Sequence, residues 1–214
     1  MIRIVLADDH EVVRAGFKMI LEQDASLKVV AEAADGEQAY AIVSREKPDI
    51  LLMDISMPPG QSGLVACEKI AKDFPSTKVI ILTMFAEPEY LFYTLRGGAA
   101  GYLLKNSTSE ELVGAVHAVY EGGSYIHPKM AALLTKQLVG DGADDDRSYQ
   151  QLSNRELEIL QLLAKGFTNK EISEQIYLSV KTVEAHRSKI YQKLGLKTRA
   201  DLVSYALKHK LLGI

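Results

Sequence analysis

Four short apolar runs in the first half of the chain each stop at a residue able to bind a phosphoryl group or a metal ion. Residues 2–7 stop at Asp8 and Asp9, 50–53 at Asp54, 79–82 at Thr83, and 102–104 at Lys105. Apolar runs of three to six residues alternating with helical patterns read as buried strands of a parallel α/β sheet. In such sheets a ligand sits outside the carboxyl ends of the strands. Three carboxylates, a hydroxyl and an ammonium are therefore expected to converge on one pocket.

The pattern predicts strands at 2–7, 28–33, 49–53, 78–83 and 101–104. It predicts helices at 11–23, 36–46, 63–74, 87–96 and 108–121. Five βα units of this kind give a five-stranded, flavodoxin-like parallel sheet with order 2-1-3-4-5. That order sets strands 1 and 3 side by side, so Asp8, Asp9 and Asp54 become neighbours.

Phosphoryl transfer to a carboxylate needs an in-line nucleophile and neutralisation of the equatorial oxygens. Asp54 is the candidate nucleophile and phosphorylation site because it stands alone at the end of a central strand. Asp8, Asp9 and Asp54, with the backbone carbonyl of Ser56, are the candidate ligands of Mg²⁺. Thr83 can donate its hydroxyl to a phosphoryl oxygen, and Lys105 can pair with the same group. An Asp at a strand end is most often only a turn former. A full set at successive strand ends is not explained that way.

The residues around this pocket resemble the receiver of bacterial two-component response regulators. The resemblance rests on Ala7-Asp8-Asp9-His10, the run from Leu52 to Pro58, Leu82-Thr83 and Gly101-Tyr102-Leu103-Leu104-Lys105, and covers about residues 2–121. It implies phosphorylation of Asp54 by a sensor histidine kinase with bound Mg²⁺. It also implies that Thr83 and Tyr102 are switch residues, Thr83 drawn to the phosphoryl and Tyr102 turning inward. The loop 57–63 is one residue longer than the common form, Met84 replaces a small residue, and Asn106 replaces a proline. These departures bear on kinetics, since none removes a chemical group.

Charge divides the chain. The net charge of the 214 residues is -3, but residues 1–130 carry a balance of -6 and residues 151–214 one of +5. A basic C-terminal part points to a polyanionic partner. Residues 128–139 read as an amphipathic helix, and 140–150 as a polar, Gly- and Asp-rich flexible linker. The expected division is a receiver at 1–123, a linker with a helix at 124–150, and a second domain at 151–214.

The second domain reads as four helices. Ser153 with Glu156, and Thr168 with Glu171, have capping-box spacing ahead of apolar runs. Ser179 or Val180 opens a third helix ending near Gly195, and Thr198 caps a fourth through about Lys208. Two short helices joined by a tight turn, the second one basic, fit a helix-turn-helix. Val183, Ile190 and Leu194 should face the core. Lys181, Glu184, Ala185, Ser188 and Lys189 fall mainly on the opposite side, where base edges and phosphates could be met.

This half resembles the LuxR-type domain, which places the chain in the NarL/FixJ family. The resemblance rests on Leu152-Ser153-Asn154-Arg155-Glu156, Ala164-Lys165-Gly166, Asn169-Lys170-Glu171-Ile172, Lys181-Thr182-Val183-Glu184-Ala185-His186, Lys193-Leu194-Gly195 and Arg199-Ala200. It implies base reading by Lys181, Glu184, Ala185 and Ser188, with Thr182 and Lys189 on the same DNA-binding helix. Lys170, Arg187 and Lys193 are implied phosphate contacts. Double-stranded DNA, a histidine kinase, a second copy on activation and RNA polymerase are the expected partners. The helix from Thr198 could close a dimer or pack on its own domain.

The lone Cys67 excludes an internal disulfide. No apolar run nears the roughly 20 residues needed to cross a bilayer. The chain opens on a strand-like run without a signal-peptide pattern, so a cytoplasmic setting is expected. A metal-dependent phosphohydrolase on a similar sheet is the rival. Ser56 stands where such enzymes resembling haloacid dehalogenases place a second Asp, and a basic helix-turn-helix would go unexplained.

Overall fold

The computed structural model describes residues 1–58, 60–139 and 148–212. The chain divides into two compact units, Met1–Thr135 and Lys136–Ile214. In the first, the strands are β1 Ile2–Ala7, β2 Leu27–Ala33, β3 Ile50–Met53, β4 Lys78–Thr83, β5 Gly101–Leu104 and β6 Tyr125–Ile126. The helices are α1 Glu11–Leu21, α2 Gly36–Glu46, α3 Gly63–Asp73, α4 Pro88–Arg96 and α5 Ser109–Tyr120, and α6 Pro128–Val139 begins in this unit and crosses the division after Thr135.

All strand pairs are parallel, in the order β2-β1-β3-β4-β5-β6. The expected doubly wound sheet is present, with one correction: it has six strands, not five. β6 is two residues long and lies outside β5, where the amides of Tyr125 and His127 donate to the carbonyls of Ala100 and Tyr102 at 3.1 and 2.9 Å. Every residue of β3 and β5 is buried. That is why these strands read as uninterrupted apolar runs, since helices cover both faces of a parallel sheet. Helix α1 touches α5, while α3 touches both α2 and α4.

The second unit contains a 3₁₀ helix at Ser148–Gln151, then α7 Asn154–Ala164, α8 Asn169–Gln175, α9 Val180–Leu194 and α10 Arg199–Lys208. The expected caps are made. Ser153, Thr168 and Thr198 each close a reciprocal capping box, with Glu156, Glu171 and Asp201. Gly195 ends α9 in the left-handed conformation at φ 65°, where a Cβ is costly. The reading of 140–150 as linker needs correcting at its end: residues 148–150 are helical, and Tyr149 is buried. Residues 140–147 lie outside the described residues.

Candidate functional site: a phosphoryl pocket and a nucleic-acid face

The pocket is built by backbone bonds that bring strand ends level. The amide of Asp8 donates to the carbonyl of Ala33, that of Asp54 to Ala7, and that of Lys105 to Thr83, at 3.1, 2.9 and 2.8 Å. Gly63 opens α3 directly against the end of β3. A Cβ there would stand 1.8 Å from the Asp54 carbonyl oxygen, so only glycine permits this approach.

Asp8 and Asp54 are 5% and 7% exposed. Lys105 lies between them, its Nζ 2.5 Å from Asp8 Oδ2 and 2.7 Å from Asp54 Oδ2. The amide of Ile55 donates to Asp54 Oδ1 at 2.7 Å. Burial pushes the Asp54 carboxyl above the usual carboxylate range, and the Asp8 charge adds to the rise, while Lys105 opposes it. Burial also works against the Lys105 ammonium, but the two carboxylates outweigh it and hold its pKa above the ordinary lysine value. Two buried carboxylates thus share one cation.

Asp9 completes the acidic set at the rim, and His10 joins it. His10 Nδ1 is 2.8 Å from Asp9 Oδ1 and 3.4 Å from Asp8 Oδ1. Ser56 is exposed, two residues beyond Asp54. Thr83 is fully buried and its Oγ1 accepts from the amide of Phe85 at 3.3 Å. Tyr102 is also fully buried, with its hydroxyl donating to the Phe85 carbonyl at 2.7 Å. The Tyr102 side chain therefore stands inward in this structure. Tyr90 stacks on Phe85 at 4.4 Å between ring centroids, which fixes the same segment from the other side. Met84 is 68% exposed.

In the second unit α9 has the two faces expected. Val183 and Ile190 are fully buried, and Leu194 is half-buried. Lys181, Glu184, Ala185, Arg187, Ser188 and Lys189 are exposed, as is Lys170 on α8. Thr182 is half-buried and occupied locally, its hydroxyl 2.7 Å from Ser179 Oγ. Lys193 is engaged within its own unit, where its Nζ lies 2.6 Å from Glu156 Oε2 and 3.0 Å from the Gln151 carbonyl. Leu202, Tyr205 and Ala206 of α10 are buried within their own unit.

Residues 4–117 match the family described as response regulator receiver domain. Residues 150–206 match bacterial regulatory proteins, luxR family. The chain is 54% identical over 214 residues to the oxygen regulatory protein NreC of Staphylococcus carnosus, covering 98% of this chain and 99% of that one. It is 55% identical over the same length to NreC of Staphylococcus aureus strain MRSA252, again at 98% and 99% coverage. Among solved structures, RcsB from Salmonella enterica serovar Typhimurium, bound to the promoter P1flhDC with a phosphomimetic, aligns with a TM-score of 0.69. Its identity is 29%, over 100% of this chain and 99% of that one. The response regulator ChrA of a heme-sensing system aligns at 0.55 with 35% identity and 98% coverage of both.

The chain belongs to the LuxR-type response regulators. Its two halves make it a transcription regulator, with a receiver and a helix-turn-helix in one chain. Two features of the regulator are not legible in the sequence. His10 stands there only as part of the Asp-Asp-His run, with no role of its own. The Lys193–Glu156 ion pair joins residues 37 apart in sequence, and no local pattern announces it. Among the described residues no helix is long and apolar enough to cross a membrane.

Proposed function

We propose that Asp54 is the phosphoacceptor, and that its modification controls binding of a dimer to DNA. The observation that carries this is the buried Asp54 carboxylate held by an ammonium it shares with Asp8. A phosphohistidine of a sensor kinase is the donor. An Asp54 oxygen attacks phosphorus, the P–N bond breaks, and the kinase imidazole leaves. Lys105 pairs with a phosphoryl oxygen, and the Thr83 hydroxyl turns from the Phe85 amide to donate to another. The receiver catalyses only this transfer and the later hydrolysis.

A divalent cation fits the pocket, because Asp8 and Asp54 share a single ammonium and Asp9 adds a third carboxylate beside Asp8. Asp8, Asp9 and Asp54, with the Ser56 carbonyl, would hold Mg²⁺, which when bound neutralises charge on the transferring group. Tyr102, already inward and bonded to Phe85, keeps the β4–α4 segment in the arrangement that contact with Thr83 requires.

DNA contact is assigned to the exposed face of α9 and to Lys170. Lys181, Glu184, Ala185 and Ser188 read bases, Thr182 supports the helix start, and Lys170, Arg187 and Lys189 meet phosphates. Lys193 is the weakest of these assignments, given its bond to Glu156. A solved structure of two RcsB dimers bound to two parallel DNAs supports a dimer on DNA. The NreC relatives support an oxygen-linked signal. RNA polymerase is the partner at the promoter, and the setting is cytoplasmic.

Gel-shift titration of a duplex library tests this, with and without beryllofluoride plus Mg²⁺, for wild type and Asp54→Asn. Tighter, selective binding by treated wild type alone is expected. Equal binding under every condition would sink the switch.

A further inference from the structure

We propose that Tyr90 is a positioning residue for the phosphoryl group: its ring, stacked on Phe85, holds the segment between β4 and α4 in place while Thr83 changes partner. The proposal rests on the reading of Asp54 as phosphoacceptor and of Thr83 as a hydroxyl donor to the phosphoryl. Within residues 84–86, Met84 and Ala86 are exposed, and Phe85 alone is half-buried. Each part of Phe85 is then engaged by a different element. Its amide donates to Thr83 Oγ1 of β4 at 3.3 Å, and its carbonyl accepts from the Tyr102 hydroxyl of β5 at 2.7 Å. Its ring lies on the ring of Tyr90 in α4, with 4.4 Å between centroids and 13° between planes. Phe85 thus joins three elements at one residue.

The three contacts are not equal. The bond from the Phe85 amide to Thr83 is longer than an ordinary N–H···O bond. It must also break when the Thr83 hydroxyl turns to the phosphoryl group. Tyr102 then holds Phe85 by the carbonyl alone, a single point about which the residue can pivot. The Tyr90 ring supplies the second point. It is a firm one, because Tyr90 is 2% exposed and sits in the first turn of α4, which opens with Pro88. Proline presets the backbone angle at a helix start. The Tyr90 amide adds a bond to the Glu87 carbonyl at 3.2 Å.

The consequence is preorganisation. With the stack in place, Phe85 stays where it is after Thr83 releases its amide, and the segment needs no further ordering. Without the stack the segment gains freedom at that moment, and part of the phosphoryl group's binding free energy goes into ordering it again. Burial, and after it the Glu87 charge, push the Tyr90 and Tyr102 hydroxyls above their ordinary value of 10.0. Tyr102 therefore remains a donor to Phe85 at any working pH, and the ring of Tyr90 is the variable that decides how tightly the segment is held.

The test titrates the full chain by calorimetry, first with Mg²⁺ alone and then with beryllofluoride at saturating Mg²⁺. Tyr90→Leu should bind beryllofluoride several-fold to about tenfold more weakly, the weight of one aromatic pair, with Mg²⁺ affinity at the wild-type value. Tyr90→Phe keeps the ring and should bind both as wild type does. Phe85→Leu removes the partner ring from a half-buried position and should match Tyr90→Leu, which keeps the proposal open to refutation should Tyr90→Leu fail to fold. The double variant should be no weaker than either single one, because each removes the same stack. Wild-type beryllofluoride affinity in either single variant overturns the proposal and leaves the Asp54 pocket standing. Additive losses, or an equal loss of Mg²⁺ affinity, assign Tyr90 to general support of the fold and overturn it too. Failure of wild type to bind beryllofluoride overturns both the proposal and the phosphoacceptor reading beneath it.

Discussion

At the residue scale, the pocket carries more negative charge than its own protein groups neutralise. Asp54 has its carboxyl raised chiefly by burial and then by Asp8. A carboxyl whose native pKa lies above its unfolded value costs stability once ionised, so at neutral pH charged Asp54 works against the fold. Asp54→Asn keeps an oxygen for the Ile55 amide and leaves Lys105 a single partner. With divalent ions chelated, this variant should melt higher than wild type, by about 1 kcal/mol or a few degrees. Lys105→Ala should melt lower, by about 3 kcal/mol, because two buried carboxylates lose their shared counter-ion. Scanning calorimetry decides, and a lower midpoint for Asp54→Asn would overturn the charge argument. Asp8, Asp54, Thr83 and Lys105 were legible in the sequence because a buried strand leaves a sharp apolar-to-polar edge. His10 was not, because its position follows from the turn of one backbone amide onto Asp8.

At the element scale, the second unit depends on Glu156 twice. Its carboxylate closes the cap of α7 through the Ser153 amide and pairs with Lys193 of α9. Burial pulls this carboxyl upward, but the Lys193 and Ser153 contacts outweigh it and hold it below its ordinary value of 4.5. The sign follows: the contribution is whole above about pH 4.5 and is lost as pH falls through the lowered native value. Glu156→Gln should cost the second unit about 1 kcal/mol at neutral pH. It should also flatten the loss of stability as pH falls below the ordinary value of 4.5. Thermal unfolding of the second unit across that range checks both, and unchanged acid sensitivity would sink the assignment. The cap itself was legible, since Ser153 and Glu156 carry it within four residues. β6 was not, because two residues after Gly122-Gly123-Ser124 have no period to read. The 3₁₀ helix was hidden for a similar reason: Tyr149 follows an acidic, glycine-containing stretch, and only its burial reveals it.

At the scale of the whole molecule, an acidic unit and a basic one divide the work, with balances of -6 and +5 in residues 1–130 and 151–214. The basic excess favours any polyanion, so its share of DNA binding should vary with salt, while base contacts should not. That difference separates the lysines of the second unit. Lys181 and Lys189 are exposed on α9, whereas Lys193 is held by Glu156 and Gln151. If Lys189 meets a phosphate in each copy of a dimer, Lys189→Ala should reduce the slope of log affinity against log salt by about 2. It should weaken cognate and unrelated duplexes alike. Lys193→Ala should leave that slope nearly unchanged and lower the melting temperature, because its removal strands a buried carboxylate. Titrations between 50 and 200 mM salt, roughly the range over which such contacts are lost, measure the first effect, and calorimetry measures the second. A full drop in slope for Lys193→Ala, with stability unchanged, would return that lysine to the DNA face.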